Sequence, residues 1–185
     1  MNATTSHDTV EMLSQADGTA IKVHRWLVPA PRGGVVISHG AAEHALRYAR
    51  FARVLGAAGL SVWAADHRGH GQSAGPGGLG DFGEAGWAGL LSDLRQVLSL
   101  AGEALGGAPL ALFGHSMGSF AAQQLLPQAP ESIGAVVLSG STAIVVQPRG
   151  ERVSAPGFNA AFEPARTPYD WLSRDPAEVG AYLAD

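Results

Sequence analysis

One pentapeptide constrains the fold of this 185-residue chain more than any other feature. Residues 114–118 read Gly-His-Ser-Met-Gly and fit the pattern Gly-x-Ser-x-Gly. An apolar run precedes them, and residues 116–126 have helical character. A serine at such a strand-to-helix turn is held in a strained conformation with an exposed hydroxyl, and the glycines let strand and helix approach closely. The pattern predicts that Ser116 is a nucleophile, supported by Gly114, His115 and Gly118; a chance glycine-rich turn is the alternative.

Strand and helix patterns alternate along the rest of the chain. Short apolar runs at 34–38, 60–65, 109–113 and 133–138 are typical of buried parallel strands, and helical spacing occupies 46–58, 87–101 and 116–126. Residues 9–13 and 20–28 flank Asp17-Gly18 and predict an opening antiparallel hairpin. We therefore expect an α/β fold, with a mostly parallel sheet and helices on both faces. Pro127 is expected to end or kink the helix after Ser116.

Composition excludes several classes of function. Hydrophobic residues make up 46% and charged residues 15%, which indicates a globular chain. The net charge is −4 and no basic block is present, so a nucleic-acid partner is not expected. The chain has no cysteine, hence no disulfide and no thiolate ligand. Residues 1–8 lack a signal-peptide pattern and no apolar run approaches the roughly 20 residues of a membrane span, so we predict a cytoplasmic protein.

A second motif, His39-Gly40-Ala41-Ala42-Glu43-His44, follows the predicted strand at 34–38. Acyl transfer needs two backbone N–H donors aimed at the developing oxyanion. One comes from the residue after the nucleophile, here Met117, and the other from the loop after the third strand. Ala41 is our candidate for that second donor, and an ordinary strand-to-helix loop is the alternative.

A third motif, residues 66–73, reads Asp-His-Arg-Gly-His-Gly-Gln-Ser. Its acid and histidines suggest a metal site, which His39 or His44 could complete. The histidines lie in glycine turns, however, and a turn that shapes the site is the preferred interpretation, with no metal. Arg68 is expected to pair with Glu43 as structural support.

Together, the three motifs resemble the monoacylglycerol lipase and lysophospholipase branch of the α/β-hydrolase-fold serine hydrolases over residues 33–140. The resemblance implies a cofactor-free esterase or lipase acting on small esters, monoacylglycerols or lysophospholipid-like lipids. It assigns Ser116 as the nucleophile and the Ala41 and Met117 amides as the oxyanion hole. It also divides the chain into a hydrolase core over 1–140, with six strands, and the beginning of a cap over 141–185.

The histidine that would complete the catalytic triad is missing. In this fold the triad runs Ser, then Asp or Glu, then His, and none of the seven histidines follows Ser116. The later acids are Glu131, Glu151, Glu163, Asp170, Asp175, Glu178 and Asp185, none just after a clear strand. The simplest expectation is a truncated hydrolase lacking its carboxy-terminal strands. The alternatives are a split enzyme paired with a carboxy-terminal fragment, a degenerate binding module, or an upstream histidine, such as His39 or His44, acting as base.

Overall fold

Six strands form a single sheet in this computed structural model, which describes residues 5–128, 133–143 and 158–185. The strands are β1 (Ser6–Leu13), β2 (Ala20–Leu27), β3 (Gly33–Ser38), β4 (Leu60–Ala65), β5 (Leu110–His115) and β6 (Ile133–Ser139). Their order across the sheet is β1-β2-β4-β3-β5-β6. The β1–β2 and β2–β4 pairs are antiparallel, and the β4–β3, β3–β5 and β5–β6 pairs are parallel. The predicted hairpin and mostly parallel sheet are confirmed.

The opening hairpin begins three residues earlier than the sequence pattern indicates. Ser6 pairs with Leu27, and Asp8 lies opposite Arg25. The Arg25 guanidinium donates two hydrogen bonds to the Asp8 carboxylate, at 2.8 and 2.6 Å. Cross-strand pairs of this kind stabilise a sheet, and they extend β1 through polar residues that have no alternating pattern of their own.

Helices cover both faces of the sheet, as predicted. They are α1 (Ala49–Ala57), α2 (Gly86–Leu105) and α3 (Met117–Leu125). Side chains alternate along a strand, so β3 contributes Val36 to the core under α2 and α3, and Val35 and Ile37 to the core under α1. All six β3 residues are buried. Because β3 is buried and central, its carboxyl end is held in place, and so is the start of the loop that follows it.

The helix boundaries agree with the local sequence signals. α3 ends at Leu125 and a short 3₁₀ turn, Leu126–Gln128, contains Pro127, so the predicted end of the helix is confirmed. The helix predicted over 46–58 begins as a 3₁₀ turn, Ala45–Tyr48, before α1. The glycine-rich stretch after β4 is a loop with one 3₁₀ turn at Gly71–Ser73.

The chain divides into two compact units, residues 1–144 and 145–185. In the second unit, Asp175 is the N-cap of α4 (Pro176–Ala184), and its carboxylate accepts the Ala177 N–H at 2.9 Å. The assignment of this segment to a cap stays a prediction. Within the described residues, no helix is long and apolar enough to cross a membrane.

Candidate active site

Ser116 forms the turn between β5 and α3, with backbone angles φ 49° and ψ −118°. Such a conformation costs a non-glycine residue about 1–3 kcal/mol and persists only where its surroundings impose it. The Ser116 N–H donates to Ser139 O at 2.9 Å, and Ser119 Oγ donates to Ser116 O at 2.6 Å. Across residues 5–128, 133–143 and 158–185, the Ser116 hydroxyl itself has no hydrogen-bond partner. The backbone is fixed while Oγ is left available.

Two glycines allow the close packing around this turn. A Cβ on Gly114 would lie 2.6 Å from Gly118 O, and a Cβ on Gly118 would collide with the carbonyl oxygen of Ser38. Backbone atoms cannot move aside as a flexible side chain can. Neither position therefore has room for a larger residue.

The loop after β3 leaves the sheet beside the Ser116 turn. β3 and β5 are parallel neighbours, with Ser38 opposite Gly114. A Cβ on Gly40 would lie 3.2 Å from Ser116 Cβ. The sheet topology thus places the start of the second motif against the serine of the first.

The two backbone donors predicted for the oxyanion hole belong to these adjoining segments. Ala41 is exposed, and its N–H has no acceptor within the part of the chain that the structure describes. Met117 is the first residue of α3, and the first N–H groups of an α-helix lack an intrahelical acceptor. Each residue lies three positions beyond the paired Ser38 and Gly114. Both donors are close to Ser116 in the topology, and their catalytic role stays a prediction.

Glu43 shapes the loop that carries Ala41. Its carboxylate accepts hydrogen bonds from the Gly40 N–H and, at 2.8 Å, from the Tyr48 hydroxyl, and Arg47 Nε lies 3.9 Å away. Burial and the neighbouring Glu43 carboxylate raise the pKa of Tyr48 far above its usual range, so the hydroxyl remains a donor. Glu43 thus holds the Gly40 end of the loop against the helix that follows.

His115 and His39 both bind groups other than the Ser116 hydroxyl. His115 Nδ1 lies 3.2 Å from Ser139 Oγ. His39 Nε2 accepts the His67 N–H at 2.9 Å, which places the ring proton on Nδ1, where it is donated to Gly40 O at 2.7 Å. Burial, with the neighbouring His67 ring, lowers the pKa of His39 well below its ordinary value. With both ring nitrogens engaged, His39 is not available as a base for Ser116.

The two histidines of the third motif, His67 and His70, pack against the His39 ring. The His39 and His67 ring centroids are 4.2 Å apart, and His67 Nε2 lies 2.9 Å from Ser38 Oγ. Burial lowers the pKa of His67 to about 3. His70 Nδ1 lies 3.1 Å from Arg68 O. Among the described residues, no group of three or more His, Cys, Asp or Glu side chains is arranged to hold a metal ion.

The expected pairing of Arg68 with Glu43 is wrong. Arg68 is 1% exposed and forms a two-pronged ion pair with Asp93 on α2, at 2.8 and 3.2 Å. It also donates to Asp17 at 2.8 Å and to Ser14 Oγ at 3.0 Å, both in the turn of the opening hairpin. Glu43 is already occupied by Gly40, Tyr48 and Arg47 within its own loop. Arg68 therefore ties the hairpin to α2.

Asp66 has a larger role than its position at the end of a strand suggested. Its two carboxylate oxygens accept the Ala45 N–H and the Gln72 N–H, each at 2.8 Å, and His24 Nε2 lies 3.4 Å away. Burial acts to raise the pKa of Asp66, but these hydrogen bonds outweigh it and lower the pKa. The carboxylate joins the loops that follow β3 and β4. The sequence signal for this role is an Asp that directly follows a strand and precedes a glycine-rich turn.

A polar network that the sequence does not predict connects α3 to the segment after β6. Ser119 Oγ lies 2.8 Å from Ser141 Oγ, and the Gln123 amide donates to Ser141 Oγ at 3.0 Å and to Thr142 O at 2.9 Å. The network fixes the first turns of α3 to the segment after β6. Serines and threonines beyond the last strand give no periodic signal.

The later acids Asp170 and Asp175 have hydrogen-bond partners within the second unit. Asp170 accepts the Arg166 N–H at 2.7 Å and the Thr167 hydroxyl at 2.7 Å, and Asp175 starts α4. Both thus have local structural partners. Glu131 and Glu151 lie outside the described residues.

Comparison with known proteins identifies the family. The model of the family described as "Serine aminopeptidase, S33" matches residues 29–185. This chain belongs to that family. The monoacylglycerol lipase of Mycolicibacterium smegmatis is 38% identical over 165 residues, which cover 84% of this chain and 56% of that protein. Human monoglyceride lipase is 34% identical over 128 residues, which cover 68% of this chain and 41% of that protein. The chain therefore spans about half the length of these two curated relatives.

A solved structure supports the predicted fold. A thermostable carboxyl esterase from Bacillus coagulans, in complex with glycerol, has a TM-score of 0.84 and 25% identity, and the match covers 98% of this chain and 66% of that one. The predicted α/β-hydrolase fold is confirmed. So are the resemblance to monoacylglycerol lipases and the membership of a carboxylic ester hydrolase family.

Proposed function

We propose that this S33-family chain carries the nucleophile and oxyanion-binding part of a serine hydrolase that cleaves carboxylic esters. The observation that carries the proposal is the Ser116 turn, strained at φ 49°, with a hydroxyl that has no partner among the described residues. Ser116 Oγ attacks the ester carbonyl, and the Ala41 and Met117 amides stabilise the oxyanion. Each such donor contributes about 2.7–4 kcal/mol to transition-state stabilisation. Collapse of this intermediate expels the alcohol and leaves an acyl-enzyme, which water then hydrolyses.

The substrates we propose are monoacylglycerols, lysophospholipid-like lipids or small esters. Two observations support this class: the relatives named monoacylglycerol lipase and monoglyceride lipase, and an esterase of similar structure solved with glycerol. The mechanism needs no cofactor, because the nucleophile, a base and backbone donors suffice.

We place the general base and the triad acid outside residues 1–185. The sequence has no histidine after Ser116, and His39 is engaged at both ring nitrogens. Loss of the base from a serine triad lowers turnover by about 10⁶-fold. A further segment of the same polypeptide, or a separate carboxy-terminal fragment that pairs with this chain, would supply these groups.

Added imidazole can test the proposed chemistry because it can act as an external base. Glycerol release from 1-monooctanoylglycerol is measured with and without imidazole, for the chain and for Ser116→Ala. We expect release that depends on imidazole and on Ser116, with the Ser116→Ala rate equal to the rate without protein. Equal rates for the two chains at all imidazole concentrations would contradict the proposal.

A second candidate function, a non-catalytic or split module that binds a partner, rests on the edge of the sheet. Among the described strands, β6 lies at one edge of the sheet, and its Val137 and Leu138 are 51% and 41% exposed. A sheet edge with apolar side chains is a template for another strand. If a partner chain binds there without restoring ester hydrolysis, the binding role is favoured. If binding restores hydrolysis, the enzyme role is favoured.

A further inference from the structure

An open cleft of about 360 Å³ lies between α1 and the first two strands. Its lining consists of Thr5, His7, Trp26, Leu46, Ala49 and Arg53. Trp26 pairs with Val62 near the beginning of β4, whereas Ser116 follows the end of β5. The cleft therefore lies away from the strand ends that carry the Ser116 turn, and the proposed function does not use it.

The polar groups that line this cleft include the Arg53 guanidinium and the Trp26 indole N–H. Arg53 is exposed, and it has no ion pair or hydrogen bond within the described part of the chain. The Trp26 indole N–H likewise has no acceptor there. No Asp or Glu is among the lining residues, and α1 contains no acidic residue. In a protein whose net charge is −4, Arg53 is thus a positive group that has no ion pair with any described residue.

Trp26, Leu46 and Ala49 give the cleft an apolar surface. Trp26 is 2% exposed, and the His7 ring stacks on it with 4.8 Å between centroids and 27° between planes. Leu46 and Ala49 also line the cleft and pack against the buried cluster that contains Trp26. A preformed apolar wall beside one charged group is the usual composition of a small-molecule site, and the volume lies within the common range of about 300–1,000 Å³.

We propose that this cleft binds a small monocarboxylate with an apolar tail. The carboxylate lies against the Arg53 guanidinium, whose planar donors match two carboxylate oxygens. The tail lies along Leu46, Ala49 and the Trp26 ring. Because Arg53 is exposed, we expect weak binding, in the millimolar range.

Octanoate is the probe, and the indole N–H resonance of Trp26 in ¹H–¹⁵N spectra is the readout, assigned with Trp26→Phe. Octanol has a similar apolar tail to octanoate but no charge, and octylammonium carries a positive charge in place of the carboxylate. We expect a saturable shift with octanoate and none with octylammonium. Arg53→Gln should weaken octanoate binding at least fivefold. Arg50→Gln makes the same charge change on the same helix, outside the lining, and should stay within twofold of the wild type.

Three results would overturn the assignment: equal binding of octanol and octanoate, equal weakening by Arg53→Gln and Arg50→Gln, or octanoate shifts confined to residues around Ser116. The dispersed spectrum of each variant shows whether it is folded, and Arg53 is exposed enough for its replacement to be tolerated. Ser116→Ala should bind octanoate as the wild type does. Failure of the proposed ester hydrolysis therefore leaves this test unaffected.

Discussion

Ser119 Oγ lies 2.6 Å from the carbonyl oxygen of Ser116 and donates its hydrogen to it. This bond connects the serine of the strand-to-helix turn to the network after β6, because Ser119 Oγ also lies 2.8 Å from Ser141 Oγ. The strained backbone at Ser116 thus depends on a buried hydroxyl three residues further along α3.

Ser119→Ala should reduce both stability and the reactivity of Ser116. The variant loses one hydroxyl that serves two hydrogen bonds, and a buried hydrogen bond contributes about 0.5–1.5 kcal/mol. We expect the free energy of unfolding to fall by roughly 1–2 kcal/mol in urea titrations. Ser99→Ala, which removes an exposed hydroxyl on α2, should change it by less than about 0.5 kcal/mol. Equal effects of the two substitutions would contradict this role.

Gly118→Ala should be among the most damaging single changes in the chain. The added methyl group would collide with backbone atoms of Ser38 and His39, which cannot rotate away. We expect a loss of about 3 kcal/mol or more, or no folded protein, since overpacking alone costs 1–3 kcal/mol. Gly102→Ala is the matched control, because a Cβ there meets nothing within 4 Å on α2. It should stabilise the chain by about 0.5–1 kcal/mol, as measured by thermal unfolding.

The buried Arg68–Asp93 pair should show strong coupling in a double-mutant cycle. Removing one partner of a buried ion pair typically costs about 3–5 kcal/mol, because the other charge stays buried. We expect Arg68→Met and Asp93→Asn each to be strongly destabilising, with a coupling energy above about 1 kcal/mol. The same cycle with Glu43→Gln should give coupling near zero, since Glu43 does not contact Arg68. Coupling to Glu43 instead of Asp93 would contradict the structure.

Acid should destabilise the chain through its buried histidines. Burial holds the folded-state pKa of His67 at about 3, whereas an unfolded histidine titrates near 6.5. As pH falls from about 6.5 towards 3, the unfolded state takes up a proton that folded His67 does not, so stability is lost over this window. Urea unfolding at several pH values should show this slope, and His67→Gln should reduce it by about 1.4 kcal/mol per pH unit. An identical slope in the variant would contradict the prediction.

The sequence predicted the parts of this fold that depend on local pattern. The apolar runs, the helix after Ser116 and its end near Pro127 all follow from residues within a few positions of each other. The spacing of Gly114 and Gly118 around Ser116 likewise predicts that strand and helix pack too closely there for a side chain. Such features can be predicted because apolar residues recur with a different period in strands and in helices.

Long-range choices between partners could not be predicted in the same way. Arg68 pairs with Asp93 and Asp17, which are 25 and 51 positions away, because the sheet places all three on the α2 side. Composition cannot distinguish them from Glu43, which is also 25 positions from Arg68. The role of Asp66 in joining two loops had the same cause, since its partner Ala45 is 21 positions away.

Intact-mass measurement after fluorophosphonate treatment tests the central claim, that Ser116 is a nucleophile whose base lies outside residues 1–185. The chain and Ser116→Ala are each treated with and without added imidazole. We predict a mass gain on the wild-type chain that requires imidazole and is absent from Ser116→Ala. A folded chain that gains no mass at any imidazole concentration, or gains the same mass in Ser116→Ala, would contradict the account.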